Sequence, residues 1–183
     1  MNRRNALFAL ALTAGLGLSG AVRAADANTV YLDTKDGRIT IELRPDLAPQ
    51  HVKQIKTLVN QGFYNGLKFH RVMEGFMAQT GDPKGNGTGG SSLPDIPAEF
   101  SAAQFRRGTV GMARSSDPNS ANSQFFICLG DASFLNGQYT VVGLVSDGLD
   151  VVDKIKKAAS GASGGAVQNP DRIVKMQMAE KAK

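Results

Sequence analysis

The sequence predicts a mainly β protein, an antiparallel barrel or sandwich, on three observations. Eight short apolar or β-branched runs are spaced along the chain, with glycine, asparagine, aspartate or serine between them. Only two stretches carry apolar residues at helical spacing, too few to supply the crossover helices of a βαβ sheet. The length of 183 residues and a hydrophobic content of 42% suit one sizeable core, and no break in composition asks for a second domain.

Taken in order, Thr29 to Asp33 and Ile39 to Leu43 flank Asp36-Gly37, the pattern of a β-hairpin. Ala48, Val52, Ile55 and Val59 then recur at helical spacing up to Asn60, with Pro49 suited to the first turn and Gly62 to the stop. His51 falls in that first turn, where it reads as a solvated surface residue. Leu67 to Met73 and Phe76 to Thr80 form a second hairpin around Glu74-Gly75. Gly108 to Ala113, Gln124 to Leu129 and Thr140 to Val145 continue the sheet. Leu149 to Ala158 is the second helix, Ser160 to Gly165 a loop of small residues, and Arg172 to Met178 a closing strand with one face buried.

The first 24 residues have another character. Met-Asn-Arg-Arg is followed by apolar and small residues from Ala6 to Leu18 and by Val22-Arg23-Ala24, the order of a secretory signal with cleavage after Ala24. The apolar run is shorter than the roughly 20 residues that span a bilayer. Residues 1–24 are therefore expected to leave and residues 25–183 to form the working domain, in the periplasm or, without an outer membrane, outside the cell. Removal takes away Arg3, Arg4 and Arg23 and no acid, lowering 21 basic residues to 18 against 16 acidic, a net of +2. No basic run or aromatic-basic interleaving remains, so nucleic acid is not an expected partner, nor is a membrane once the signal is gone. A monomer is the expected state. A lone Cys128 excludes an internal disulfide, and its place in an apolar run marks it as core.

One stretch organises the rest. From Phe69 to Asp82, His70 and Arg71 interrupt an apolar run, and Phe76, Met77 and Gln79 follow within eight residues. A guanidinium stays charged at any working pH and presents a rigid fork of donors. Among bulky hydrophobes it makes sense where it must meet a carbonyl or a nitrogen lone pair, so the stretch reads as a groove for a peptide. The downstream Gly85-Asn86-Gly87-Thr88-Gly89-Gly90 satisfies the spacing G-x-G-x-x-G, but it runs into Ser91-Ser92-Leu93-Pro94 and opens no helix. It is a long loop and not a dinucleotide site.

Phe69-His70-Arg71-Val72, Gly75-Phe76-Met77-Ala78-Gln79, Gly81-Asp82 and Gly87-Thr88-Gly89-Gly90, with Ser123-Gln124-Phe125-Phe126-Ile127, resemble the two central motifs of the cyclophilins. The resemblance extends from about Thr29 to Met178. It implies a closed eight-stranded antiparallel β-barrel capped by two α-helices, and peptidyl-prolyl cis-trans isomerase activity without a cofactor or metal. Carried over by position, it implies that Arg71 is the catalytic group and that Phe76, Met77, Phe126 and Leu135 form the proline pocket. His70, Gln79, Ala113 and Gln124 would line the adjoining groove, with Arg114 and Tyr139 beside them. Phe134 stands where the best-known eukaryotic pattern has tryptophan, Tyr139 where it has histidine and Arg114 where it has asparagine. Arg114 to Ser123 is one residue longer than that pattern. The implied partners are proline-containing segments of unfolded or flexible exported proteins.

The chemistry suits these residues. Partial double-bond character gives the peptide C–N bond a rotation barrier of about 18–20 kcal/mol. Twisting makes the prolyl nitrogen pyramidal and restores its lone pair, so a donor aimed there stabilises the twisted state and does little for the planar one. Phe125 and Phe126 are adjacent on a strand, so only one can face the groove, and the resemblance assigns Phe126. A module that captures proline peptides without turning them over has no need of Arg71. A serine hydrolase using Ser91 or Ser123 with His70 lacks both the triad order and a nucleophile elbow.

Overall fold

The computed structural model describes residues 27–179; the expected signal segment, residues 1–24, lies outside them. The chain runs β1 (Thr29–Thr34), β2 (Gly37–Leu43), α1 (Pro49–Asn60), β3 (Arg71–Met73), β4 (Met77–Thr80), β5 (Thr109–Met112), β6 (Phe125–Cys128), β7 (Val141–Asp147), α2 (Leu149–Lys154) and β8 (Lys175–Met178). Single 3₁₀ turns stand at Ser133–Leu135 and Ser163–Gly165. All strand pairs are antiparallel, in the order β3-β4-β6-β5-β7-β2-β1-β8.

The eight strands and two helices are those expected, but the barrel is less closed than the resemblance implies. β3 and β8 are the two ends of a curled sheet. Between them the flanking segments meet in an isolated bridge, Lys68 with Arg172, with Phe69 N donating to Asp171 O and Ile173 N to Leu67 O, both at 2.9 Å. This divides two of the expected strands. Leu67 to Phe69 is drawn to residues 171–173 and leaves only Arg71–Met73 to pair with β4, while β8 begins at Lys175. The second helix also ends early, at Lys154. Beyond it the Lys156 and Ala158 N–H groups bond Asp171 Oδ2 and Val72 O, which an extension of the helix could not offer.

Alternation along the strands fills the barrel. Val30, Leu32, Ile39, Ile41, Val72, Ala78, Val110 and Ile127 point inward, and α1 adds Val52, Ile55 and Leu58. His51 departs from its expected place on the surface, for it is fully buried. α1 has no side-chain N-cap of its own. Instead Glu99 accepts from the Gln50 and His51 N–H groups at 3.1 Å each and stands 2.6 Å from His51 Nδ1. A carboxylate from a distant loop thus meets the positive end of the helix and covers the imidazole.

A second apolar cluster lies on the outer side of the sheet and holds Met77, Phe105, Phe126, Cys128, Ala132, Leu135 and Val141. Phe125 turns inward against Tyr64, ring centroids 5.5 Å apart, while Phe126 faces out and stacks on Phe105 at 5.8 Å. Gly111 makes that stack possible. A Cβ there would stand 2.5 Å from Phe105 Cε1 and 2.6 Å from Phe126 Cζ. Burial pushes the Cys128 thiol up to about 12, which leaves it protonated and unreactive.

Candidate active site

Register builds the site. Arg71 pairs with Gln79 across β3–β4, Gln79 with Phe126 across β4–β6, and Phe126 with Gly111 across β6–β5. These four form one crosswise row, and a period of two sends the whole row to the outer face while the next row, Val72, Ala78, Ile127 and Val110, enters the core. Met77, two residues from Gln79, shares that outer face. The charge and the amide therefore stand beside aromatic and thioether side chains because consecutive strands carry them to the same face.

An apolar hollow of about 220 Å³ opens over this row, lined by Arg71, Phe76, Met77, Gln79, Ala113, Arg114, Phe126, Phe134, Leu135 and Tyr139. No carboxylate is among its walls. The loops carrying Phe76 and Phe134 meet at one rim, their rings 5.2 Å apart, and Tyr139 stands edge-on to Phe126 at 6.0 Å. Beside it a polar hollow of about 530 Å³ shares Gln79, Ala113 and Arg114 and continues over Gly87 to Ser91, Asp95, Asn122 and Gln124. The two together make one groove, apolar at one end and rich in backbone and amide groups at the other.

Arg71 is fixed at several points. Its Nη1 donates to Gln79 Oε1 at 3.2 Å and its Nε to Gly164 O at 2.7 Å, and Cζ lies 6.0 Å from the Phe76 ring centre. Gln79 is itself oriented, because its Nε2 donates to Gln124 Oε1 at 2.8 Å. Gln124 Nε2 in turn donates to the Gly89 and Gly87 carbonyls at 2.8 and 3.1 Å. Since an amide has one accepting and one donating end, this relay leaves Gln79 Oε1 toward the guanidinium. The glycine-rich loop thus sets the donor geometry of Arg71 from the far end of the groove.

That loop is held from below by Asp82, which is 1% exposed and accepts the Lys84, Asn86 and Gly87 N–H groups at 2.8, 2.9 and 2.5 Å. Burial alone would raise its carboxyl, but the backbone donors of Lys84, Asn86, Gly87 and Gly89 outweigh it and hold the group below the usual carboxylate range. Arg114 lies at the junction of the two hollows, 4.4 Å over the Tyr139 ring, and donates to Ser115 O at 2.9 Å and Gln138 O at 3.0 Å.

All but two of the residues singled out in the sequence line the apolar hollow. Gln124 lines the polar one, and His70 lines neither. It is buried under the glycine-rich loop, where a Cβ on Gly87 would stand 3.8 Å from its Nε2. Burial pushes this imidazole below its ordinary value, against the pull of Asp82. Phe105 and Gly164 belong to the site's construction and were not expected there, whereas Phe134, which the resemblance sets at the usual tryptophan, lines the hollow. Phe134 stands next to Leu135 in sequence, but nothing local to Gly164 points to a contact made 93 residues away. Among the described residues no group of three His, Cys, Asp or Glu is placed to hold a metal ion.

Comparison with known proteins gives this geometry a family. Residues 29–178 match the family described as cyclophilin type peptidyl-prolyl cis-trans isomerase/CLD. A probable peptidyl-prolyl cis-trans isomerase of Brucella suis is 62% identical over 91% of this chain and 93% of its own length. A peptidyl-prolyl cis-trans isomerase of Helicobacter pylori is 43% identical over 72% of this chain and 83% of its own. Among solved structures, the cyclophilin AquaCyp293 of Hirschia baltica matches with a TM-score of 0.74 at 28% identity, covering 86% of this chain and 76% of that one. A cyclophilin type isomerase of Cryptosporidium parvum, solved in the presence of the dipeptide Ala-Pro, also gives 0.74, at 29% identity over 82% of this chain and 98% of that one. The chain belongs to the cyclophilin type peptidyl-prolyl cis-trans isomerases, the class of enzyme its folded groove and its motifs describe.

Proposed function

We propose that the protein speeds X-Pro rotation in exported proteins by placing the Arg71 guanidinium against the twisted imide. The observation that carries this is the position of Arg71 at the wall of the apolar hollow, tied to Gln79 Oε1 at 3.2 Å. The prolyl ring enters between Phe76, Met77, Phe126 and Leu135, and the residue before it lies toward Gln79, Ala113 and the polar hollow. One half of the peptide is held and the other turns. As resonance breaks, the pyramidal nitrogen gains a lone pair for an Nη hydrogen to meet, a contact that the planar isomers lack. Apolar walls keep water from the contact and strengthen it. The solution of the Cryptosporidium relative in the presence of the dipeptide Ala-Pro supports a proline-containing substrate. Export rests on Arg3, Arg4, the apolar run from Ala6 and Val22-Arg23-Ala24.

A protease-coupled assay on an X-Pro peptide tests the catalytic reading, with Arg71→Ala expected to lower kcat/KM by about 10²–10³. Equal rates for the two proteins would remove Arg71 from the reaction. Mass spectrometry of the periplasmic fraction tests export, with a mature chain beginning at Ala25 as the expected product.

A further inference from the structure

A planar donor group is aimed only if it is held at more than one point. The bond from Arg71 Nη1 to Gln79 Oε1, 3.2 Å long, leaves the guanidinium free to swing about that contact. The bond from Nε to Gly164 O, at 2.7 Å, is the shorter of the two and comes from another segment of the chain. Together they fix the plane of the fork and leave the remaining Nη hydrogens for a ligand. The Sδ atom of Met73, 3.5 Å from Nη2, adds a weak third contact.

The segment that carries Gly164 is built against β3. Ala158 N donates to Val72 O at 3.0 Å, Val167 N donates to His70 O at 3.1 Å, and Ala166 bridges Arg71. Between these anchors the chain turns through Ser163–Gly165 with positive φ at both glycines, +62° at Gly164 and +80° at Gly165. Gly165 is buried against the arginine itself. A Cβ there would stand 2.4 Å from Met73 Cγ and 3.5 Å from Arg71 Cγ. Only a glycine lets the turn come close enough to β3 for the carbonyl before it to reach Nε.

We infer that the Ser163–Gly165 turn is a positioning element for Arg71, with the Gly164 carbonyl fixing the guanidinium and Gly165 making the approach possible. Neither residue touches the peptide. The turn acts through Arg71, so its effect falls on the rotated state and not on the grip of Phe76, Met77 and Phe126 on the proline ring. Misplacing a catalytic group by about 1 Å costs about 10²-fold in rate. Displacing the turn is therefore expected to lower kcat while KM stays within a small factor.

This inference rests on the catalytic reading of Arg71, and the test separates the two. The wild type, Arg71→Ala, Gly165→Ala, Met73→Ala and the double variant Met73→Ala/Gly165→Ala are compared for kcat, KM and the ¹⁵N signal of Arg71 Nε–H. The wild-type signal is expected to be protected from exchange and coupled to the Gly164 carbonyl. Gly165→Ala is expected to lose that protection and to lower kcat by about 10- to 10²-fold. The double variant, which removes the atoms the new methyl would strike, is expected to regain part of both relative to Met73→Ala, since alanine at a φ of +80° remains strained. A wild-type Nε–H that exchanges freely overturns the inference whatever the variants do, including a Gly165→Ala that fails to fold. So does a wild-type kcat in Gly165→Ala after protection is lost. A wild-type rate in Arg71→Ala would instead sink the catalytic reading itself.

Discussion

Gln79 Nε2 on β4 and Gln124 Oε1 just ahead of β6 meet at 2.8 Å, and this amide contact decides which end of Gln79 faces Arg71. Gln124→Ala removes the acceptor and frees the Gln79 amide to turn its donors toward a cation. A lost hydrogen bond of about 1–1.5 kcal/mol corresponds to roughly a five- to thirteenfold fall in kcat/KM. Steady-state isomerisation rates check it, and no change would mean that Arg71 does not depend on the relay.

Gly111 gives a prediction on packing. Gly111→Ala forces a methyl into the space between Phe105 and Phe126, at 2.5 and 2.6 Å from ring carbons. The rings must separate and the floor of the hollow shifts. A loss of about 1–3 kcal/mol in stability is expected from overpacking, with reduced affinity for proline peptides, by urea unfolding and by titration with an X-Pro peptide.

Glu99 is expected to matter to stability although it lies away from the hollow's wall. Glu99→Ala leaves two first-turn N–H groups of α1 and the His51 ring without their acceptor. A loss of about 1–2 kcal/mol is the expected outcome, measured as a lower urea midpoint at unchanged slope.

Acid is expected to destabilise the fold in two stages. Burial pushes both His51 and His70 below their ordinary value of 6.5, against the opposing pull of Glu99 and Asp82 respectively. The unfolded chain therefore takes up protons first as pH falls past 6.5, and stability declines by up to about 1.4 kcal/mol per pH unit for each histidine until the folded values are passed. Glu99 and Asp82 are held below their ordinary 4.5 and 3.8, so their contribution stays whole above those values and is lost as pH falls through the folded ones. Thermal melts between pH 7.5 and 5 are expected to fall in Tm, and His70→Gln to flatten the slope. A flat wild-type profile would contradict the burial argument.

Much of the site was legible because its residues lie close in sequence on adjoining strands. Arg71, Phe76, Met77 and Gln79 come from one hairpin, and a period of two carries Arg71, Met77 and Gln79 to the same face. Phe126 could be told from Phe125 only by the resemblance, since either parity satisfies the pattern. What remained hidden depends on contacts between distant segments. His51 looked like a surface residue at a helix start, because nothing near it announces a carboxylate 48 positions on. The early ends of α2 and of the strand at Leu67 follow from pairing with residues 171–173, which propensity does not see. Gly164 belongs to the same class, a backbone carbonyl in a run of small residues that names no partner.

The proposed role of Arg71, a fixed guanidinium stabilising the half-rotated imide, has a direct test. Comparing kcat/KM of the wild type with Arg71→Ala and Arg71→Lys on one X-Pro peptide, alongside a binding constant for the same peptide, tests it most directly. A fall of about 10²–10³ is expected for Arg71→Ala at nearly unchanged affinity, with only partial recovery in Arg71→Lys, whose ammonium lacks the planar fork. A fall in affinity that matches the fall in rate would contradict it, for Arg71 would then bind the planar peptide as strongly as the twisted one.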